Sequence, residues 1–196
     1  LTGRVSPAIR GDEKQCTGEN SPLSLLLKPG RNSGRLEIPL DAPRRWTPDQ
    51  PYLYFLTFRV NAGGKTLACA TERFGFRDFR IADGKFLLNG KPIYLFGQNI
   101  ASRNYGGAPG DLENAPRQIE NYLKQLKAEG YNIVRTAHMP LLPAGYEIAD
   151  ELGMMIYNEW AWCFTNILDN DEFEKNNFPE LLEFLNATGN HPSVVM

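Results

Sequence analysis

Six side chains are of types that hold a polar ligand or move a proton: Asn99, Arg135, His138, Glu159, Trp160 and Trp162. Arg135 carries a planar fork of donors, a geometry suited to a carboxylate. Glu159 is an acceptor, half of an ion pair, or a proton-transfer group. His138 contacts a ligand or caps its own loop. Trp160 and Trp162 offer flat rings for stacking, or pack beneath the loop that carries them.

These residues need a frame, and the hydrophobic spacing supplies one. From about Gly97 onward the chain alternates short apolar strands with helical stretches. Asn114 stands where a helix N-cap belongs, Pro116 falls in the first turn, and Ile119, Tyr122, Leu123 and Leu126 share one face before Gly130. A strand at 132–135 follows, then a helix at about 145–152 stopped by Gly153, a strand at 154–157, and a helix marked by Phe178, Leu181, Leu182 and Leu185. The residues 193–196 begin a fourth strand. This order predicts a parallel sheet with right-handed crossovers, either part of a (β/α)₈ barrel or of an open doubly wound sheet. No Gly-x-Gly-x-x-Gly follows a strand, which argues against a nucleotide-binding version. Asn99, Arg135 and Glu159 then stand at carboxyl ends of strands, where such folds place their chemistry.

Before Phe79 the period is that of strands. Leu36, Ile38 and Leu40 alternate with polar neighbours, and Tyr52–Val60 is rich in aromatic and β-branched residues. Gly63-Gly64, Asp83-Gly84 and Asn89-Gly90 are hairpin-turn dipeptides, the last leading to a strand at Ile93–Phe96. Four or five strands are legible, fewer than the seven or so of an immunoglobulin-like sandwich. The expected organisation is a partial sandwich over residues 1–78 and an alternating strand–helix domain over 79–196.

Composition narrows the function classes. The 196 residues carry a net charge of −2, which leaves no basic surface for nucleic acid, and no apolar run is long enough for a bilayer. Cys16, Cys69 and Cys163 are too scattered for a metal site or a disulfide framework. No metal or cofactor is expected. Asn186-Ala187-Thr188 fits a glycosylation triplet but lies inside a predicted helix. The chain begins at Leu1 with neither a methionine nor a signal-peptide pattern, so it is expected to be cut from something longer, and its compartment stays open.

Four segments, in order, resemble family 2 glycoside hydrolases, the group of β-galactosidases, β-glucuronidases and β-mannosidases. They are Trp46-Thr47-Pro48-Asp49-Gln50-Pro51-Tyr52-Leu53-Tyr54; Gly75-Phe76-Arg77 with Phe86–Pro92 and Gly97-Gln98-Asn99; Asn132–Pro140; and Asp150–Gly153 through Asn158-Glu159 to Asn190-His191-Pro192-Ser193-Val194-Val195. The resemblance implies a barrel rather than an open sheet, and a retaining exo-glycosidase acting on β-glycosides. In that family the arginine matching Arg135 orients the nucleophile and the histidine matching His138 touches the sugar. Trp160 and Trp162 would stack on a pyranose face. Many members carry a histidine shortly after the asparagine matching Asn99, where this chain has Ile100-Ala101-Ser102.

The register set by the resemblance places Glu159 on the third strand. The family's acid/base glutamate follows the fourth strand and its nucleophile lies further on. No catalytic residue is therefore expected within this chain, and Glu159 is read as a substrate-side acceptor or a structural ion pair. His191 is expected to fix the approach to strand four. The chain alone should be inactive, with a carbohydrate as the partner of its parent and self-association through unpaired barrel strands. A non-catalytic sugar-binding relative is the alternative.

Overall fold

The computed structural model describes residues 2–11, 23–26, 28–100, 114–161 and 171–196. The chain divides into two compact units, Leu1–Arg44 with Tyr52–Phe74, and Arg45–Pro51 with Gly75–Met196.

The first unit is an antiparallel sheet in the order β2-β1-β3-β4, formed by β1 (Thr2–Gly11), β2 (Leu23–Leu26), β3 (Tyr54–Ala62) and β4 (Lys65–Phe74). Gly63 and Gly64 join β3 to β4 with φ of 57° and 76°, the left-handed pair that a two-residue hairpin requires. A sandwich needs two facing sheets, and the described residues of this unit form one. Leu36, Ile38 and Leu40 are half-buried between exposed neighbours, as their alternation predicts. They form no strand, and Pro39 among them has no N–H to give a ladder.

The second unit opens with a meander of β5 (Phe79–Ala82), β6 (Lys85–Leu88) and β7 (Lys91–Pro92). Both connecting turns hold the expected left-handed pairs, Asp83-Gly84 and Asn89-Gly90. The strand expected at Ile93–Phe96 is absent, because pairing with β6 stops at Pro92. Next come β8 (Gly97–Ile100), α1 (Ala115–Ala128), β9 (Ile133–Thr136), α2 (Pro143–Leu152), β10 (Met155–Tyr157) and α3 (Asp171–Thr188). Strands β8, β9 and β10 are parallel neighbours in chain order, and Val194 bridges Ile156 in parallel on the far side of β10. The order never turns back, as it would at the switch point of a doubly wound sheet.

Apolar burial holds this layer together. Ile119, Leu123 and Leu126 of α1 meet Ile100, Val134 and Ile156 of the three strands, all 1% exposed or less. Helix α1 ends as its glycine predicts: the Tyr131 N–H reaches the Leu126 carbonyl and the Gly130 N–H that of Lys127, with Gly130 at φ 91°. Its start differs, since the Asn114 side chain makes no capping hydrogen bond. Helix α3 differs more. Phe178, Leu182 and Leu185 are exposed, whereas Phe173, Asn177, Leu181, Phe184 and Thr188 form its half-buried to buried face.

Candidate functional site

Side chains alternate across a strand, so residues flanking the helix-facing positions Ile100, Val134 and Ile156 point the other way. Asn99, Arg135 and Tyr157 are those residues, and register sets Arg135 opposite both Asn99 and Tyr157. The strands' carboxyl ends thus present one row of polar groups across three neighbours.

Arg135 is its centre. Its Nη2 lies 2.8 Å from each carboxylate oxygen of Glu159 and hydrogen-bonds Oε1. Its Nη1 reaches Asn99 Oδ1 at 3.5 Å. Glu159 Oε2 is shielded from solvent and accepts no hydrogen bond. The Glu159 backbone N–H donates to Thr136 Oγ1 at 2.8 Å, so the fully buried Thr136 anchors the loop that carries the carboxylate. Three of the six sequence candidates therefore meet.

Two of the other three lie among the described residues. His138 is half-buried two residues beyond β9, after a cis Ala137–His138 peptide bond. Trp160 packs on Phe184 of α3, with ring centroids 5.1 Å apart at 45°. Trp162 lies outside the described residues. Thr136 and Tyr146 are not legible as site residues, and Asn158 is legible only within the Asn158-Glu159 dipeptide, because a polar side chain carries no mark of its distant partner.

Around the site the backbone is clamped from below. Arg77 donates to the carbonyls of Pro192 and Val194. Burial lowers its guanidinium pKa, an effect opposed by the charges of Asp150 and Asp78. His191 bonds Asp150 through Nδ1 at 2.6 Å, and the Thr188 hydroxyl, part of the glycosylation triplet, is buried and engaged within α3. A cavity of about 720 Å³, lined by Asp49, Lys91, Tyr94, Lys127 and Tyr131, opens at the other end of the strands. The described residues include no cluster of three or more potential metal ligands. No described helix is long and apolar enough to cross a membrane.

A donor fork, an amide and a carboxylate at adjacent parallel strand ends can bind a polyhydroxylated ligand through several directed hydrogen bonds. Residues 5–77 match the family model "Glycosyl hydrolases family 2", and residues 79–196 match "Glycosyl hydrolases family 2, TIM barrel domain". A beta-galactosidase of Thermoanaerobacter pseudethanolicus is 34% identical over 166 residues, taking in 82% of this chain and 21% of that protein. The solved structure of a family 2 member from Bacteroides cellulosilyticus superposes with a TM-score of 0.83 at 25% identity, over 99% of this chain and 26% of that one. Bacteroides uniformis beta-glucuronidase 3 gives 0.76 at 26% identity, over 97% and 23%. The chain spans only 11% to 21% of the length of the first curated relatives it matches. The carboxyl-terminal match alone covers more than half of the residues, and the chain belongs to glycosyl hydrolase family 2.

Proposed function

We propose that the protein is a retaining exo-glycosidase of β-glycosides, to which this chain contributes a partial immunoglobulin-like sandwich and the first strands of the barrel. The observation that carries the reading is the Asn99–Arg135–Glu159 row at the carboxyl ends of β8, β9 and the loop after β10. The relatives named beta-galactosidase and beta-glucuronidase support a β-linked sugar as the substrate class.

In this reading Glu159 binds rather than transfers a proton. Retaining hydrolysis needs two carboxyl groups roughly 5 Å apart, one as nucleophile and one as acid/base. Here Glu159 is paired with an arginine, and the described residues place no second carboxyl group against it. Arg135 fixes the Glu159 carboxylate in place as an acceptor for sugar hydroxyls, while Asn99 and His138 extend the contact. Trp160 supports the loop, and Trp162 stacks on the ring.

The test is hydrolysis of p-nitrophenyl β-glycosides. The full-length protein containing these residues should turn them over, and Glu159→Gln should raise KM more than it lowers kcat. The isolated 196 residues should show no turnover above background. Hydrolysis by the purified 196-residue chain would mean that Glu159 is a catalytic group. Binding without turnover by the full-length protein would favour the non-catalytic relative.

A further inference from the structure

The carboxyl end of β10 is tied into a chain of side-chain hydrogen bonds that the sugar-binding reading leaves unused. The Leu141 N–H donates to the Tyr146 hydroxyl at 3.1 Å, and that hydroxyl donates to Asn158 Oδ1 at 2.8 Å. Asn158 Nδ2 donates to Thr188 Oγ1 at 3.1 Å, and the Thr188 hydroxyl donates to the Phe184 carbonyl at 2.9 Å. Donors and acceptors alternate in one direction, so only one orientation of the Asn158 amide satisfies the chain. Tyr146 is 3% exposed and Thr188 6%, so water is a poor substitute for either contact.

One turn along the same face of α2, Asp150 does the same for the neighbouring segment. It is 2% exposed; its Oδ2 meets His191 Nδ1 at 2.6 Å and its Oδ1 accepts the Ser193 N–H at 3.0 Å. The Tyr146 and His191 rings lie 5.3 Å apart, so the two arms also touch each other. The held segment then runs beside β10: the Ser193 carbonyl accepts the Ile156 N–H and the Met196 carbonyl accepts the Asn158 N–H, each at 2.7 Å.

We infer that Tyr146 and Asp150 are positioning residues for the site. Through Asn158 and His191, one face of α2 sets where Glu159 and the 193–196 segment beside β10 stand at the sheet's carboxyl end. Asn158 directly precedes Glu159, so a shift of its backbone moves the carboxylate against Arg135. Displacements of about 1 Å in such a site cost up to roughly a hundredfold in rate. The activity readout rests on the glycosidase reading, and the experiment keeps the two separable.

Tyr146→Phe keeps the ring on His191 and deletes the hydroxyl; Thr188→Val cuts the other end of the chain. In the full-length enzyme, assayed well below its melting transition, each should lower kcat/KM on a p-nitrophenyl β-glycoside by about tenfold. The double variant should lose little more than the worse single one, because both act through Asn158. Leu123→Ala, a core truncation, should lower the melting temperature while leaving kcat/KM of the folded enzyme unchanged. Kinetics within twofold of wild type for the folded single variants, or losses that add fully, would overturn the inference. If Tyr146→Phe fails to fold, Thr188→Val decides alone. A wild type without glycosidase activity sinks the functional reading instead. A crystal structure of the folded variant then decides: Glu159 displaced from Arg135 sustains positioning, and an unchanged contact ends it.

Discussion

Lys127 donates to the carbonyls of Pro48 and Gly153 from a half-buried position at the end of α1. Burial lowers its pKa from about 10.5, and the charge of Asp49 opposes the shift. The unfolded chain therefore holds this proton more tightly than the folded one, and between the two pKa values stability rises with pH. The cost of burying the ammonium is complete below the lowered value and is gone above about 10.5. Wild type should accordingly gain stability relative to Lys127→Met as pH is raised through that window, read as the difference in urea midpoints. A difference that stays flat or falls would contradict this assignment. Arg135 and Glu159 show how far single residues were legible. Their strand-end positions are legible from the sequence, whereas the contact between them is a finding of the structure, since the resemblance assigns Arg135 to a different carboxylate and names no partner for Glu159. Tyr146 and Asn158 carry no such signal, since their hydrogen bond joins a helix to a strand end and neither residue type implies the other.

Among elements, turns and helix ends were the easiest to read, because local backbone chemistry sets them. Asp83-Gly84, Asn89-Gly90, Gly130 and Gly153 all adopt the positive φ their places demand. Gly153 has a second constraint, as a Cβ there would stand 2.2 Å from the Pro48 carbonyl oxygen. Gly153→Ala should cost about 2 kcal/mol or more in urea unfolding. Gly84→Asn, at φ 68° in open space, should cost under about 1 kcal/mol. A cost at Gly153 no larger than that at Gly84 would contradict the added constraint from Pro48. Helix α3 forms where the sequence predicts it, and only the choice of its buried face is left open by the sequence. Two apolar stripes at helical spacing compete, Phe178–Leu182–Leu185 and Phe173–Leu181–Phe184. Hydropathy does not rank them; contact with Trp160 and Asn158 favours the second.

For the molecule as a whole, strand β8 pairs with β9 alone among the described residues, leaving its other edge open. Tyr94 and Phe96 just before it are 82% and 46% exposed. The 196-residue chain should therefore associate with rising concentration in sedimentation velocity, and Tyr94→Lys should weaken that association. A single monomeric boundary at every concentration would oppose it. The path of the chain carries a different consequence. Residues Arg45–Pro51 leave the first unit and fold with the second, where the Trp46 indole donates to the Asp150 carbonyl and the Trp46 carbonyl accepts from Asn89. The units are interleaved along the polypeptide, so no single cut separates them. A barrel grafted into another protein from position 79 onward would arrive without the buried tryptophan that hydrogen-bonds α2 and the Asn89-Gly90 turn. Recombination that shuffles these units intact must move the upstream loop with them.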